Sequence, residues 1–292
     1  MTTEIKTVGV AGSGTMGAGI AIVSARAGFR TIVYDTRQDA LDRARQQTAG
    51  FFAKSVERKK LTQEQVSKIL SDLSGTTDIG VLAACDIVIE AVFEDLNVKH
   101  RLLAQLDKVC APRTLFASNT STLSITEIAG GSGRDDRFVG MHFCLPAQLM
   151  KLVEMSPGLN TSERTFQAAW DFCKAMGQTP VKTRDSPGFI LNYFLIPFHN
   201  DVIRLVEAGV AAPADIDRAI KTGLGYPMGP LELLDLVGLD THLLVTEALY
   251  ASTRDPRAAV PALVKRMIAA GHLGRKAGQG FYAYQGGAMF GG

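Results

Sequence analysis

The stretch TVGVAGSGTMGAGIA, residues 7–21, decides the fold of this chain. An apolar run rich in β-branched residues leads into the glycine-rich turn GSGTMG (12–17), and a helical pattern follows at once. In this context Gly12 permits a tight turn, Gly14 lets the backbone approach a pyrophosphate, and Gly17 permits close packing of helix on strand. The helix N-terminus offers unpaired N–H groups and a partial positive charge to phosphates. The stretch therefore predicts a strand, a dinucleotide-binding turn and a helix.

Four further apolar runs continue this pattern along the first half of the chain. Helical patterns such as residues 18–28 and 39–60 separate them. Runs of this kind are typical of strands buried on both faces, and their alternation with helices predicts a parallel sheet. We therefore expect an α/β fold with a Rossmann-type doubly wound, mostly parallel sheet. The four runs are RTIVYD (30–35), DIVIEAV (86–92), TLFASNT (114–120) and FVGMHF (138–143).

The character of the sequence changes near RDSPGF (184–189). The apolar segments beyond it have helical spacing, and Gly and Pro punctuate them as helix stops and starts do. At 292 residues the chain also exceeds the usual size of a single domain. We expect two domains, a dinucleotide-binding domain over residues 1–186 and an all-α domain over residues 187–292.

Composition excludes several classes of protein. A hydrophobic content of 46% with 21% charged residues is ordinary for a globular domain, and a net charge of +2 argues against a nucleic-acid or membrane surface. The four cysteines have no paired spacing, so neither a disulfide framework nor a metal site is expected. No signal-peptide pattern and no charge-free run of 18 apolar residues is visible, and we expect a cytoplasmic protein.

Asp35 indicates which dinucleotide the turn would bind. It ends the second apolar run, where an acid can hydrogen-bond the ribose hydroxyls of an adenosine. Its charge would repel the 2′-phosphate of NADP, whereas Arg37, two residues later, could attract that phosphate. Because Arg37 follows the end of the strand, NAD is the favoured cofactor.

Three polar residues are expected at the same edge of the sheet as the turn, because ligands bind over the carboxyl ends of parallel strands. Glu94 follows the third run, Ser121 the fourth, and His142 ends the fifth. Ser121 has a second interpretation as a helix cap, a position that Ser favours. His142 likewise has a second interpretation, as an ordinary buried histidine.

Glu154 makes a catalytic interpretation of His142 attractive. It ends another apolar run, and Pro146 between the two residues favours a turn that would bring them together. A buried carboxylate needs a partner, and a His–Glu pair would fix the imidazole tautomer. Cys144 also suggests a Cys–His nucleophile, but a neighbouring dinucleotide site implies hydride chemistry instead.

Two other features remain ambiguous from the residues alone. Asn192 lies in the apolar helix start GFILNYF, where a buried amide must find a hydrogen bond within the fold or in a substrate cleft. The basic tract formed by Lys54, Arg58, Lys59 and Lys60 is either a solvated helix face or a contact for the phosphates of an anionic substrate.

Together these segments resemble the L-3-hydroxyacyl-CoA dehydrogenase family, which includes the 3-hydroxybutyryl-CoA dehydrogenases. The resemblance runs from about residue 5 to residue 284, nearly the whole chain. The motifs that carry it are GSGTMGAGIA, DIVIEAVFEDLNVK, FASNTSTLSIT, RFVGMHF, MKLVE, DSPGFILN, GLGYPMGPLELLDLVGLD and GRKAGQGFYAY.

The resemblance implies specific roles for residues of this chain. It implies His142 as the catalytic base with Glu154 as its partner, and Ser121 and Asn192 as substrate contacts. It further implies a helical domain that forms a homodimer and a substrate cleft between the two domains. The implied cofactor contacts are Gly12, Gly14, Thr15, Met16, Gly17, Asp35, Ala91, Glu94, Lys99 and Asn119.

The leading functional hypothesis is NAD-dependent oxidation of a short-chain L-3-hydroxyacyl-CoA to the 3-ketoacyl-CoA, or the reverse. The family typically has Phe-Asn-Pro-Val-Pro where this chain has Cys144-Leu145-Pro146-Ala147-Gln148. This departure raises an alternative, the same hydride chemistry on an atypical acyl-CoA or on a hydroxy acid or alcohol without CoA. A third alternative is a non-catalytic NAD-binding protein, which the presence of all four site residues argues against.

Overall fold

The computed structural model describes residues 4–284. The chain divides into two compact units, Met1–Ser186 and Pro187–Gly292. Each unit has a hydrophobic core of its own.

The first unit is built on an eight-stranded sheet with the order β3-β2-β1-β4-β5-β6-β7-β8. All neighbouring strands run parallel except β6 and β7, which are antiparallel. The predicted doubly wound, mostly parallel sheet is therefore confirmed. The strands are β1 (Thr7–Ala11), β2 (Arg30–Tyr34), β3 (Leu73–Thr76), β4 (Ile87–Glu90), β5 (Leu115–Ser118), β6 (Phe138–Phe143), β7 (Leu152–Pro157) and β8 (Thr179–Lys182).

Helices connect the strands and supply the remaining core of the first unit. Several begin with a side-chain cap: Asp95 accepts from Val98 N at the start of α4, and Ser162 accepts from Thr165 N at the start of α6. The helices are α1 (Thr15–Arg26), α2 (Gln38–Glu57), α3 (Gln63–Ser71), α4 (Leu96–Val109), α5 (Ile125–Gly130) and α6 (Glu163–Ala175).

The two edge strands could not be predicted from hydrophobic pattern. β3 (LSGT) and β8 (TPVK) are half-buried or exposed along their whole length. Because an edge strand has only one neighbour and little buried surface, its residues need not be apolar. The central strands β1, β4, β5 and β6 are almost fully buried, and their continuous apolar runs reveal them.

The second unit is built from helices, as predicted, and two isolated β-bridges, Gly274–Gln279 and Gln279–Ala283, lie near the end of its described part. Its core packs side chains of α7, α8, α9 and α11 around Ile203 and Leu231, both fully buried. Gly238 has a φ of +99° and divides the long apolar stretch 229–252 into two helices. The helices are α7 (Leu191–Glu207), α8 (Pro213–Leu224), α9 (Pro230–Val237), α10 (Leu239–Thr253) and α11 (Ala262–Ala269).

Within residues 4–284, no helix has both the length and the apolar character needed to cross a membrane.

Candidate active site

The glycine-rich turn lies where the strand order of the sheet reverses. β1 pairs with β2 on one side and with β4 on the other, so the crossover connections leave in opposite directions at this point. Gly12 follows β1, and Ala91, which follows β4, donates from its backbone N to Ala11 O at 2.7 Å. A crevice at such a reversal is where doubly wound sheets bind their ligands.

The three glycines of the turn meet different constraints. Gly12 has a φ of +107°, and a Cβ there would lie 2.5 Å from Ala91 O. A Cβ on Gly17 would lie 1.8 Å from Gly12 O, so protein packing alone requires glycine at both positions. A Cβ on Gly14 would meet no protein atom within 4 Å. The open space at Gly14 fits a ligand that approaches the backbone closely, as a pyrophosphate does.

The start of α1 fits the same ligand. Thr15 and Met16 are its first residues, Gly14 is its N-cap, and no side chain caps its N–H groups. The first turn also carries no acidic residue that would compete with an anion. These N–H groups and the positive end of the helix dipole therefore suit the phosphates of a dinucleotide.

Asp35 lies beside the turn, directly after β2. Its Oδ2 accepts from Ser13 N at 2.9 Å and Ser13 Oγ at 2.7 Å, and its Oδ1 accepts from Arg37 N at 3.1 Å. The side chain of Arg37 forms an ion pair with Asp39 and donates from Nε to Asp39 Oδ1 at 2.9 Å. The carboxylate of Asp35 thus faces the turn, while the positive charge of Arg37 is engaged by another acid.

His142 and Glu154 are brought together by the antiparallel pairing of β6 and β7. They are direct partners in the register of the two strands, with His142 Nδ1 at 2.8 Å from Glu154 Oε2. His142 is 7% exposed and Glu154 is 1% exposed. Because a carboxylate only accepts hydrogen bonds, the proton of a neutral imidazole lies on Nδ1, and Nε2 is the nitrogen that carries the lone pair. This is the arrangement of a general base with an orienting acid.

Ser121 lies at the reactive side of the imidazole. Its Oγ is 3.1 Å from His142 Nε2, so with the proton on Nδ1 the serine hydroxyl donates to the imidazole. Ser121 is partly exposed, in the loop between β5 and α5. The structure therefore brings together three of the four predicted catalytic residues, with Glu154 at one nitrogen of the His142 ring and Ser121 at the other.

Glu94 holds the backbone of the loop that carries Ser121. Its Oε1 accepts from Thr120 Oγ1 at 2.6 Å, Ser121 N at 2.8 Å, Thr122 N at 2.9 Å and Thr122 Oγ1 at 3.1 Å. Burial would raise the pKa of Glu94, but the positive charge of Lys99 and these hydrogen bonds outweigh it and hold the pKa below its ordinary value. Glu94 is therefore an ionised anchor for three successive residues.

Lys99 is buried against two carboxylates. Its Nζ lies 2.8 and 2.9 Å from the two oxygens of Glu90 and 3.2 Å from Glu94 Oε2, and its side chain is 1% exposed. Burial lowers the pKa of a lysine, but Glu90 and Glu94 more than compensate and raise it. Lys99, predicted as a cofactor contact, thus directs its charge into the protein.

Glu90, Ser118 and Thr120 were missed by reasoning from the sequence. Ser118 Oγ donates to Glu90 Oε1 and accepts from Thr120 N at 3.1 Å. The signal for Glu90 is present in DIVIEAV, where an acid interrupts a buried apolar run and therefore needs a partner. Lys99, nine residues later on the first turn of a helix, supplies that partner.

Asn119, a predicted cofactor contact, joins the ends of two strands. Its Oδ1 accepts from Phe143 N at 2.9 Å, and its backbone N donates to Glu90 O at 2.9 Å. The amide oxygen of Asn119 therefore links the Ser121 loop to the residue next to His142.

The remaining predicted residues lie elsewhere in the structure. Asn192 is partly buried in the first turn of α7, in the second unit. Lys54 and Arg58 are exposed at the C-terminal end of α2. Their proposed contacts with substrate stay predictions.

Two alternatives find little support in the site. Burial, together with the negative charge of Glu154, raises the pKa of the Cys144 thiol to about 11, so this cysteine is not a thiolate near neutral pH. Among residues 4–284, no group of three or more His, Cys, Asp or Glu side chains could hold a metal ion.

Comparisons with known proteins identify the family of the chain. The family model of the 3-hydroxyacyl-CoA dehydrogenase NAD binding domain matches residues 7–186, and that of the 3-hydroxyacyl-CoA dehydrogenase C-terminal domain matches residues 188–284. The first unit is thus an NAD-binding domain.

Similar proteins match along almost their whole length. The mitochondrial hydroxyacyl-coenzyme A dehydrogenase of Rattus norvegicus is 43% identical, over 96% of this chain and 92% of the relative. A probable 3-hydroxybutyryl-CoA dehydrogenase of Deinococcus radiodurans is 42% identical, over 94% of this chain and 99% of the relative. The crystal structure of (S)-3-hydroxybutyryl-CoA dehydrogenase PaaH1 from Ralstonia eutropha has a TM-score of 0.90 at 40% identity, covering 97% of this chain and 100% of that one.

Proposed function

Because the chain belongs to the 3-hydroxyacyl-CoA dehydrogenase family, we propose that His142 is the general base of its reaction and Glu154 the acid that orients it. The enzyme is an NAD-dependent dehydrogenase that interconverts an L-3-hydroxyacyl-CoA and the 3-ketoacyl-CoA. The observation that carries the proposal is the 2.8 Å contact between His142 Nδ1 and Glu154 Oε2, which leaves Nε2 as the basic nitrogen.

The residues of the site then have distinct tasks in the oxidation. Bound NAD would supply the acceptor for the hydride that leaves C3 of the substrate. His142 Nε2 removes the proton of the 3-hydroxyl, and Glu154 stabilises the imidazolium that results. Ser121 and Asn192 hold the oxygen that is being oxidised, which orients the C3–H bond. In the reverse direction the same imidazolium returns its proton to that oxygen.

The cofactor-binding residues follow from the position of the turn. We assign the pyrophosphate to residues 12–17, including Thr15 and Met16, and the adenosine ribose to Asp35. Ala91, Glu94 and Asn119 lie at the carboxyl ends of β4 and β5 and are assigned to the other half of the dinucleotide.

The direct test of the proposed function is the oxidation of NADH in the presence of acetoacetyl-CoA. The reaction is monitored as the loss of NADH absorbance. We expect saturable turnover with the CoA ester and none with free acetoacetate. Turnover of free acetoacetate would contradict the proposed substrate class. So would a failure to turn over any acyl-CoA.

The departure at Leu145 supports a second candidate, an enzyme specific for an atypical acyl group. Leu145 is partly buried and follows β6 three residues after His142, where the family typically has an asparagine. An asparagine could hydrogen-bond to a substrate, which a leucine cannot do. A reshaped pocket predicts low kcat/KM for 3-hydroxybutyryl-CoA, improvement by Leu145→Asn, and a branched, aromatic or longer acyl-CoA that the native enzyme prefers. If the native enzyme and Leu145→Asn both prefer 3-hydroxybutyryl-CoA, with the same kcat/KM, the departure at Leu145 is neutral.

Several further features complete the proposal. We propose residues 1–186 and 187–292 as the two domains, with homodimerisation through the helical one and phosphates of CoA bound by Lys54 and Arg58. We also propose a role in fatty acid metabolism, which fits the proposed substrate, and a cytoplasmic location.

A further inference from the structure

A chain of three charges, two of them buried, contacts the segment that carries Ser121. Glu90 is fully buried at the end of β4, Lys99 is buried on α4, and Glu94, between them in sequence, is about one third exposed. Three carboxylate oxygens lie within 3.2 Å of Lys99 Nζ, as many as an ammonium has hydrogens to donate. The carboxylates of the protein thus match the full donor capacity of the ammonium.

The two carboxylates contact the segment 118–122, which comprises the last residue of β5 and the residues that follow it. Glu90 accepts from Ser118 Oγ, and that oxygen accepts from Thr120 N. One oxygen of Glu94 accepts hydrogen bonds from four donors in residues 120–122, while its other oxygen faces Lys99. Lys99 therefore joins two anchors that act on opposite ends of the same five-residue segment, 118–122.

This segment sets the surroundings of the catalytic imidazole. It carries Ser121, whose hydroxyl lies 3.1 Å from His142 Nε2, and Asn119, whose amide oxygen accepts from Phe143 N. A shift of Glu94 would release the N–H groups of Ser121 and Thr122 together. The Ser121 hydroxyl would then move relative to His142.

We infer that Lys99 is a positioning residue, which acts on catalysis through Glu94 and the Ser121 loop. The inference rests on the proposed function, since it assigns Ser121 and His142 to the reacting oxygen. It adds a second role to the cofactor contact that the family resemblance implies for Lys99, and it adds Glu90 and Ser118 to the residues that build the site.

The first experiment separates kcat from cofactor affinity. Lys99→Met should lower kcat for acetoacetyl-CoA reduction by about 10- to 100-fold, the usual effect of a misplaced catalytic group. The Kd of NADH, measured by fluorescence, should change less than about threefold, which is within the effect of one weak contact. Lys108→Met, which removes an exposed lysine from the last turn of the same helix, should leave both values unchanged. A large rise in the Kd of NADH with kcat preserved would overturn the inference.

A double-mutant cycle with Ser121→Ala tests the route of the effect. If Lys99 acts through Ser121, then Lys99→Met should cost little additional kcat once the hydroxyl is gone, because the two residues act as one unit. Multiplicative losses in the double variant would overturn the inference. Absence of acyl-CoA activity in the native protein would instead contradict the proposed function.

A compensated variant guards against a loss of folding. Lys99→Met leaves two buried or partly buried carboxylates without their cation, which can destabilise the domain. Adding Glu90→Gln removes one uncompensated charge, so the melting temperature should recover toward the native value. The kcat should stay low, because Glu94 still lacks its partner. Recovery of kcat together with stability would show a purely structural role and overturn the inference.

Discussion

At the residue scale, the His142 imidazole is constrained at both ring nitrogens. Glu154 contacts Nδ1 from the neighbouring strand, and Ser121 contacts Nε2 from the loop after β5. The orientation of the ring therefore depends on two elements that are distant in sequence. Removal of the imidazole should affect chemistry far more than it affects the NAD-binding turn.

His142→Gln should lower kcat by about 100- to 10,000-fold, the usual contribution of a general base. The Kd of NADH should stay within error of the native value, because residues 12–17 are untouched. His272→Gln, which changes a histidine outside the site in the same way, serves as the control in steady-state assays. Near-native turnover of the His142 variant would remove the proposed base.

Asp35→Ala should narrow the preference for NADH over NADPH, measured as the ratio of kcat/KM values. The substitution removes both the ribose hydrogen bond and the charge that repels a 2′-phosphate. Asp42→Ala, an exposed acid on the following helix, should leave the ratio unchanged. Equal kcat/KM for the two cofactors in the native enzyme would show that Asp35 does not discriminate between them.

At the scale of an element, α2 ends in an exposed basic tract. If Lys54 and Arg58 bind phosphates of CoA, Lys54→Ala and Arg58→Ala should each raise the KM for acetoacetyl-CoA by about tenfold, the value of one charge-assisted hydrogen bond. The kcat should not change, since the contact is equal in ground and transition states. Arg45→Ala on the same helix provides a control with the same loss of charge. An unchanged KM in both variants would identify the tract as a solvated face.

The packing of α7 against α10 makes the second unit sensitive to acid. Burial, together with the charge that His242 would carry, lowers the pKa of His199 to about 3, and burial lowers that of His242 to about 4. Their ring centroids lie 5.9 Å apart, and His199 Nε2 has no hydrogen-bond partner among the described residues. Both side chains are therefore neutral in the folded unit.

Because the unfolded chain takes up protons below about pH 6.5 and the folded unit does not, stability is lost as the pH falls from 6.5 toward 4. Each histidine contributes a slope of about 1.4 kcal/mol per pH unit. His199→Gln should make the fall in the free energy of unfolding shallower by about this amount in denaturant titrations. His272→Gln should leave the slope unchanged, and equal slopes in all three proteins would contradict the prediction.

At the scale of the whole molecule, the second unit exposes apolar side chains that a monomer would leave in water. Phe194 is 68% exposed, Val210 66% and Leu244 66%. A groove of about 380 Å³ between α7 and α8, lined mainly by apolar residues such as Val202, Leu205 and Ile216, adds to this surface. Such surfaces are typical of subunit interfaces.

The proposed homodimer should therefore depend on this unit. Sedimentation velocity should give a dimer for the native protein and a larger monomer fraction for Phe194→Asp and Val210→Asp. Leu159→Asp, at an apolar residue that is 83% exposed in the first unit, should remain dimeric. A native monomer at micromolar concentration would contradict the proposed assembly.

The amino-acid sequence by itself determined the fold class and the position of the cofactor turn. Both depend on local patterns: continuous apolar runs predict the central strands β1, β4, β5 and β6, and glycines predict the turn at residues 12–17. The edge strands β3 and β8 escaped prediction because their stability comes from pairing with a neighbour and not from an apolar pattern of their own.

Only the tertiary structure decided how the polar residues of the site are combined. From the residues alone, Ser121 could be either a helix cap or a site residue. In the structure its hydroxyl lies within hydrogen-bond distance of His142 Nε2. The ammonium of Lys99 lies between Glu90 and Glu94, because the buried acid in β4 needs a cation to balance its charge. Hydrogen bonds and ion pairs of this kind join residues from different strands and helices. Their geometry is fixed only when the strands pair in the native register.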